Sequence, residues 1–167
     1  MDDPAISLNI LSIIRGINRL SVNRDVGTHV VPWPASNTLY RGGSLPNHHK
    51  PFFTTGKMYR VPMYLATSAD QNISQQGFCY QAEVDGLPPV LYNIYIHPQL
   101  KCKHVNFVNR RHGHEEWEYL FVPYSVFIVA GVVWMQNPTH THPHYIYLYA
   151  MTDNKEHPED LPLASWH

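Results

Sequence analysis

Apolar residues spaced three and four apart open the chain and predict an amphipathic helix. Asp3-Pro4 suits the start of that helix, and its apolar positions run from Ile6 to Leu20. The residues that follow are rich in proline and turn formers. They predict an irregular lead-in that ends at position 37.

From Thr38 onward the pattern changes to short apolar runs that alternate with polar positions, as is typical of β-strands. The strand-like stretches are TLYRG, KMYRVPMYLATS, PVLYNIYIHP, WEYLFV, YSVFIVAGVVWM and HYIYLYAM. The second is broken or edged at Pro62. DQNISQQGF, which is polar apart from two residues, predicts a short helix. In HYIYLYAM, the three alternating tyrosines are predicted to form one packed face.

These elements predict an α+β fold that is mostly β, with two packed antiparallel-rich sheets and an N-terminal helical flank. We assign residues 1–37 to the helix and lead-in, 38–152 to the β core and 153–167 to a polar C-terminal tail. The 167 residues are enough for one domain with its own core. Apolar residues make up 44% and charged residues 15%, which is typical of a packed globule.

Charge and cysteine content narrow the range of functions. The formal net charge is −1, so no nucleic-acid partner is expected. Cys79 and Cys102 are far apart in sequence and leave the compartment open. The start lacks the basic region of a signal peptide. The longest apolar run, 120–134, contains Pro123 and Gly131 and is shorter than the about 20 residues of a membrane span. The sequence therefore predicts a soluble protein.

Candidate chemistry begins with two carboxylates at the start of an apolar strand, in HEEWEYLFVPYSVFIV. Glu116 and Glu118 are two residues apart, so in a strand their side chains point to the same face. Like charges held this close repel each other unless a ligand or a reaction uses them. Two other strand ends carry polar groups, LYRG and YLATS.

The order and spacing of these three pieces resemble the arginine–serine–glutamate class of ADP-ribosyltransferases, over about residues 38–151. That family has a strand with Arg-Gly, a later strand with Ser-Thr-Ser, and then Glu-x-Glu followed by apolar residues and a proline. The resemblance implies two sheets that form an NAD cleft. The matching positions are Arg41-Gly42, Thr67-Ser68 and Glu116-Trp117-Glu118.

The resemblance implies that NAD is a substrate and that ADP-ribose passes to a protein side chain. Glu118 would stabilise the oxocarbenium-like ribose by its charge. Glu116 would orient the acceptor and take its proton, and a glutamate here favours an arginine acceptor. Arg41 would hold the diphosphate as a planar, bidentate donor. No metal is expected at this site.

Other residues are implied to bind the dinucleotide. Gly42 would let backbone groups approach the nicotinamide amide, and Thr67 and Ser68 would line the site. Phe78 suits either the core or a position stacked on a ring of NAD. The loop NRRHGHE, before the glutamates, takes the place of the family's acceptor-recognition loop.

The chain departs from the family pattern at Ala66, where the family has the serine that braces the catalytic glutamate. Ser68 lies on the same strand face, roughly 6–7 Å further along. Two alternatives stay open besides transfer, the first because water could replace the acceptor and the second because of Ala66. One is an NAD glycohydrolase, and the other is a catalytically silent relative that binds NAD or a protein.

The histidines give a different alternative. Twelve of them stand against twelve lysines and arginines, which makes the charge sensitive to pH near about 6.5. His112 and His114, with Glu118 four residues further on, resemble the first metal motif of a cupin β-barrel. HTHPH supplies three more histidines, which would share a face if extended, although its prolines also suit a loop. An incidental surface cluster is the simpler interpretation.

Overall fold

Eight strands and three short helical segments make up the described part of the chain, which in this computed structural model is residues 13, 32–110 and 116–164. The strands are β1 (Thr38–Ser44), β2 (Met58–Val61), β3 (Leu65–Ser68), β4 (Pro89–Tyr95), β5 (Val105–Arg110), β6 (Glu116–Phe121), β7 (Ser125–Val133) and β8 (His144–Ala150). The helical segments are a 3₁₀ helix (Asn47–Phe52), a π-helix (Ile73–Cys79) and α1 (Tyr80–Val84). The predicted mostly β fold is confirmed.

The strands hydrogen-bond in the order β2-β7-β8-β4-β1-β3-β6-β5. Among these described strands, β4 and β8 run parallel and the other neighbours run antiparallel. β1 pairs with β4 from Thr38 to Ser44, but its register with β3 is the single pair Tyr40 and Ser68. The two sheets predicted from the sequence are thus two halves of one hydrogen-bonded sheet. The halves meet at the pair of Tyr40 and Ser68.

Burial alternates along β8 and fixes which side of the sheet faces the core. The even-numbered residues from His144 to Ala150 are buried, whereas the tyrosines between them point to the other face. Tyr149 is 55% exposed. The rings of Tyr147 and Tyr149 lie 6.4 and 5.6 Å from the ring of Tyr95 on β4. The predicted tyrosine face therefore packs ring against ring on the outer surface, because the even-numbered positions fill the core.

The π-helix begins at Ile73, five residues after the end of β3, in the segment where the sequence predicted a short helix. Pro62 lies between β2 and β3 and separates them. The turn out of β3 is closed by two hydrogen bonds. Ser68 Oγ accepts the N–H of Asp70 at 3.0 Å, and Asp70 Oδ1 accepts the N–H of Asn72 at 2.8 Å. These bonds fix the start of the helix relative to the end of the strand.

The C-terminal segment folds back over β2 through a buried arginine. Arg60 donates hydrogen bonds to the carbonyl oxygens of Tyr124 at 2.8 Å and His157 at 2.9 Å. The N–H of Ala164 donates to the Arg60 carbonyl, and Ala164 is itself buried. The segment predicted as a polar tail therefore covers part of the core as far as residue 164.

The predicted N-terminal helix lies outside the described residues except for Ile13, which is helical and 62% exposed. Within the described ranges, none of the helices has the length and apolar character needed to cross a membrane.

Candidate active site

A cleft of about 170 Å³ opens at the junction between β1 and β3. Residues of β1, β3 and β6 form its floor, and the π-helix forms a wall. All the site residues predicted from the sequence except Glu116 meet in this cleft. The residues that line it are Tyr40, Arg41, Gly42, Ala66, Thr67, Ser68, Ile73, Ser74, Phe78 and Glu118.

Arg41 is the cationic group of the cleft. Its Nη1 donates a hydrogen bond to the carbonyl oxygen of Ala66 at 3.0 Å, which ties β1 to β3 beyond their one register pair. Burial lowers the pKa of Arg41 from its usual value, and nearby Tyr92 opposes that shift. A guanidinium stays protonated in proteins and carries five N–H donors, so donors remain for an anion.

Ser68 and Glu118 lie directly opposite each other in the β3–β6 register. Opposed residues of antiparallel strands share a face with Cβ atoms about 4.5–5.5 Å apart, which brings the Ser68 side chain within reach of the Glu118 side chain. Ser68 Oγ already accepts the N–H of Asp70, which leaves its O–H to donate. Ala66, at the place of the family's first serine, lies opposite Leu120 instead. The register therefore makes Ser68 the hydroxyl neighbour of Glu118.

Thr67 and Phe78, which the sequence also predicted to contact NAD, line the cleft in different ways. Thr67 is buried, and its hydroxyl donates to the Tyr119 carbonyl at 2.7 Å, so that bond is made within the sheet. Phe78 is 61% exposed and lines the cleft from the π-helix. The core position considered for Phe78 from the sequence is therefore wrong. An exposed aromatic ring beside a cleft is suited to stack on a flat ligand.

Gly42 allows the π-helix to pack directly on β1. A Cβ atom at this position would overlap the carbonyl oxygen of Ser74 and lie 3.0 Å from Cβ of Phe78. A Cβ atom at Gly43 would meet nothing within 4 Å. The missing side chain at position 42 thus sets the distance between the wall and the floor of the cleft. The predicted approach of nicotinamide to Gly42 stays a prediction.

Glu116 is the first residue of β6 and pairs with Arg110 at the end of β5. Its side chain lies outside what the structure describes, as do residues 111–115, most of the predicted acceptor-recognition loop. The acceptor roles of Glu116 and of this loop stay predictions.

A second cavity of about 300 Å³ lies next to the first. Arg41, Gly42 and Phe78 line both cavities, so the two adjoin along the end of β1. This cavity leaves no signal in the sequence, because its remaining residues belong to no motif and only packing brings them together. They are Gly43, Ser44, Gln81, Ala82, Asp85, Leu87 and Tyr92.

The histidines of HTHPH have separate partners. His144 is buried on β8, and its Nδ1 accepts the N–H of Met135 at 3.0 Å. His140 Nδ1 lies 2.7 Å from Oε2 of Glu83 on α1. Within the described part of the chain, no group of three or more His, Cys, Asp or Glu side chains is arranged to hold a metal. The HGH half of the predicted metal motif lies outside that part. The interpretation of HTHPH as a shared face is wrong, because residues 140–143 lie in a turn between β7 and β8 and His144 begins β8.

Comparison with known proteins identifies the class of fold. No family model matches the chain, and no curated protein matches its sequence. Vis toxin, an ADP-ribosyltransferase from Vibrio splendidus, is similar in structure, with a TM-score of 0.57 and 14% identity over 95% of this chain and 79% of that chain. The structure of Vis in complex with agmatine gives a TM-score of 0.58 and 13% identity over 95% and 80%.

A further solved structure supports the same assignment of fold. The catalytic domain of VahC from Aeromonas hydrophila has a TM-score of 0.50 and 19% identity, over 82% of this chain and 71% of that one. The chain thus has the ADP-ribosyltransferase fold, and its cleft lies where β1 parts from β3.

Proposed function

We propose that this chain is an NAD-dependent mono-ADP-ribosyltransferase that transfers ADP-ribose to a protein side chain, with arginine preferred. One observation carries the proposal: Arg41 and Glu118, which the sequence singled out independently of any coordinates, line the same cleft. A guanidinium suited to a diphosphate and a carboxylate suited to a sugar cation are the two charges that cleavage of NAD requires. The fold that the chain shares with Vis supports the same function.

In the first step, the bond between ribose C1′ and the nicotinamide nitrogen breaks, and nicotinamide leaves with the bonding electrons. The ribose becomes an oxocarbenium-like cation, which a fixed negative charge stabilises more than it stabilises the neutral sugar. We assign that charge to Glu118, with the Ser68 hydroxyl opposite it to keep the carboxylate oriented. We assign to Arg41 the diphosphate, so that the ADP-ribose half stays bound after nicotinamide leaves.

In the second step, a guanidine nitrogen of the acceptor attacks C1′ and forms a new C–N bond. The nitrogen then loses a proton, for which Glu116 is the proposed base. Vis has been solved with agmatine, a small guanidine compound, which supports an arginine-like acceptor for a protein of this fold. Attack by water would give hydrolysis of NAD through the same first step.

The test measures nicotinamide release from NAD by the wild type and by Glu118→Gln, which removes the charge and keeps the shape. We expect a loss in kcat of about 10²–10³-fold, the usual cost of removing one electrostatic stabiliser of a transition state. Glu156→Gln, a change at an exposed carboxylate of the C-terminal segment, is the control and should leave release unchanged.

Three outcomes separate the functions. Transfer of labelled ADP-ribose to agmatine supports the transferase. Nicotinamide release without any labelled acceptor, in agmatine or in a cell lysate, contradicts transfer and supports hydrolysis. If NAD raises the unfolding temperature of the wild type and no nicotinamide is released, both enzymatic functions are wrong and the chain is an NAD-binding module.

A further inference from the structure

The cleft that holds Glu118 is too small for a whole dinucleotide. Its volume is about 170 Å³, whereas pockets that bury small ligands usually have about 300–1,000 Å³. The adjoining cavity of about 300 Å³ supplies the missing space. Arg41 lines both cavities, so a diphosphate held there would have one nucleoside on either side.

The second cavity combines apolar walls with one carboxylate. Phe78 and Leu87 line it and are 61% and 43% exposed, which leaves two large apolar side chains open to a ligand. Asp85 is the carboxylate, and its Oδ1 accepts a hydrogen bond from Nε2 of Gln81 at 2.9 Å. That bond orients the side chain and leaves Oδ2 to accept another. Apolar walls suit a flat base, and a carboxylate oxygen suits a sugar hydroxyl.

We propose that this second cavity takes the adenosine half of NAD, and that Asp85 selects against a phosphate on the adenosine ribose. The inference rests on the proposed function, since it assumes that the other half of NAD lies beside Glu118. Asp85 would accept a hydrogen bond from a ribose hydroxyl, as acidic residues do in dinucleotide-binding folds of other kinds. A 2′-phosphate at the same place would bring like charges together, which disfavours NADP.

The one cation that lines this cavity does not offset that repulsion. Arg41 donates Nη1 to the Ala66 carbonyl at 3.0 Å, on the side of the first cavity, and the diphosphate is its proposed ligand. Among the residues that line the second cavity, Arg41 is the one basic side chain and Asp85 the one carboxylate. With Arg41 assigned to the diphosphate, Asp85 is the charged side chain left in this cavity to meet a 2′-phosphate.

The test compares the binding of two probes, adenosine 5′-monophosphate and adenosine 2′,5′-bisphosphate, to the whole chain by calorimetry. We expect the wild type to bind the monophosphate about tenfold more tightly, the size of one unfavourable charge contact near a surface. Asp85→Asn keeps the shape and an acceptor oxygen while removing the charge. It should bring the ratio of the two affinities close to one, mainly through tighter binding of the bisphosphate.

Glu83→Gln is the matched control. It removes the same charge two residues away, but the Glu83 carboxylate contacts His140 rather than the cavity. The ratio should stay at its wild-type value in this variant. An equal change in both variants would show a long-range charge effect and overturn the proposal. So would an unchanged ratio in Asp85→Asn, or a wild type that binds neither probe.

Binding of these probes needs no chemistry, so the inference and the proposed function can fail separately. If the ratio of the two probe affinities depends on Asp85 but no nicotinamide is released from NAD, the transferase proposal is wrong and the adenosine site is still supported. If nicotinamide is released from NAD but the ratio of the two probe affinities is the same in the wild type and in Asp85→Asn, only the adenosine site is wrong. In the enzyme, Asp85→Asn should raise kcat/KM for NADP relative to NAD by about the same tenfold factor.

Discussion

Glu118 has one cross-strand neighbour with a hydroxyl, and that neighbour is Ser68. A carboxylate that accepts an O–H hydrogen bond is stabilised in its charged form and held in one orientation. In the family that the sequence resembles, the brace comes from the position that Ala66 occupies here. A displacement by two residues keeps the side chain on the same face of the strand, so Ser68 can serve the same purpose.

Ser68→Ala is expected to lower kcat for nicotinamide release about 10- to 100-fold, which is ~1.4–2.7 kcal/mol of transition-state stabilisation. KM for NAD should change less, because Arg41 is untouched. Ser68→Thr keeps the hydroxyl and should keep most of the activity. Steady-state kinetics on the three proteins provide the measurement.

The double variant Ala66→Ser/Ser68→Ala tests the register itself. It restores a hydroxyl to β3, but opposite Leu120 rather than Glu118. Activity should stay as low as in Ser68→Ala. Recovery to the wild-type rate would show that position 66 braces the glutamate, as in the family, and the register argument would then be wrong.

Which site residues could be predicted from the sequence depends on what each role requires. Arg41 and Glu118 carry charges that the chemistry needs, in the order of a known motif, so the pattern alone indicated them. The residue that lies opposite Glu118 depends on the strand register. The alternation of apolar and polar residues does not fix that register, because a shift by two residues keeps every side chain on the same face. Asp85 follows a short helix without a motif, and only the packing of that helix brings it to the cavity that Arg41 also lines.

At the scale of elements, the cleft depends on how closely the π-helix approaches β1. The Ser74 carbonyl occupies the space that a side chain at Gly42 would need. π-helical turns are uncommon and occur often at functional sites. Here the π-helix supplies Ile73, Ser74 and Phe78 to the wall of the cleft. A shift of this one segment would therefore change the width of the site.

Gly42→Ala should destabilise the protein by about 1–3 kcal/mol, the usual cost of forcing an extra methyl group into a packed contact. It should also weaken NAD binding, because the wall must move away from the floor. Urea unfolding and calorimetry measure the two effects.

Gly43→Ala is the control for the loss of stability, with the same chemical change on the neighbouring residue. The added methyl group would meet no atom within 4 Å, so stability should change little or rise slightly. Similar losses in both variants would mean that the glycines matter for backbone freedom, and the proposed contact with the π-helix would not explain Gly42.

The strands were easier to predict than their surroundings. Alternation identified β6, β7 and β8 because one face of each packs in the core. The same pattern predicted β4, although its residues from Pro89 to Ile94 are all buried. It did not show that the tyrosines of β8 take the outer face, since tyrosine suits either environment. The covering role of the C-terminal segment was also missed. It depends on hydrogen bonds from Arg60 to backbone carbonyls, which leave no pattern in the sequence.

At the scale of the whole molecule, two histidines are buried among those that the structure describes, His104 and His144. His104 has Nε2 3.0 Å from Sγ of Cys102, and burial lowers its pKa to about 3, against the opposing effect of Asp153. His144 accepts the N–H of Met135, and burial lowers its pKa to about 4. The composition predicted sensitivity to pH, but only the tertiary structure shows which histidines cause it.

The sign of their effect follows from proton uptake. A histidine in the unfolded chain has a pKa of about 6.5. Below that pH the unfolded chain binds protons that the folded protein does not, so the free energy of unfolding falls as pH falls. The loss continues to about pH 4 for His144 and about pH 3 for His104. Each histidine contributes a slope of at most about 1.4 kcal/mol per pH unit.

The free energy of unfolding is therefore expected to fall by about 4 kcal/mol between pH 7 and pH 5, which is large against a typical total of about 5–15 kcal/mol. Ordinary carboxylates titrate mainly below about pH 4.5 and add little in this window. Urea unfolding at half-unit pH steps measures the slope. The variant His104→Leu/His144→Asn keeps apolar volume at one site and a hydrogen-bond acceptor at the other, and neither new side chain takes up a proton. Its stability should be nearly flat from pH 7 to pH 5, so a slope as steep as that of the wild type would assign the acid sensitivity to other groups.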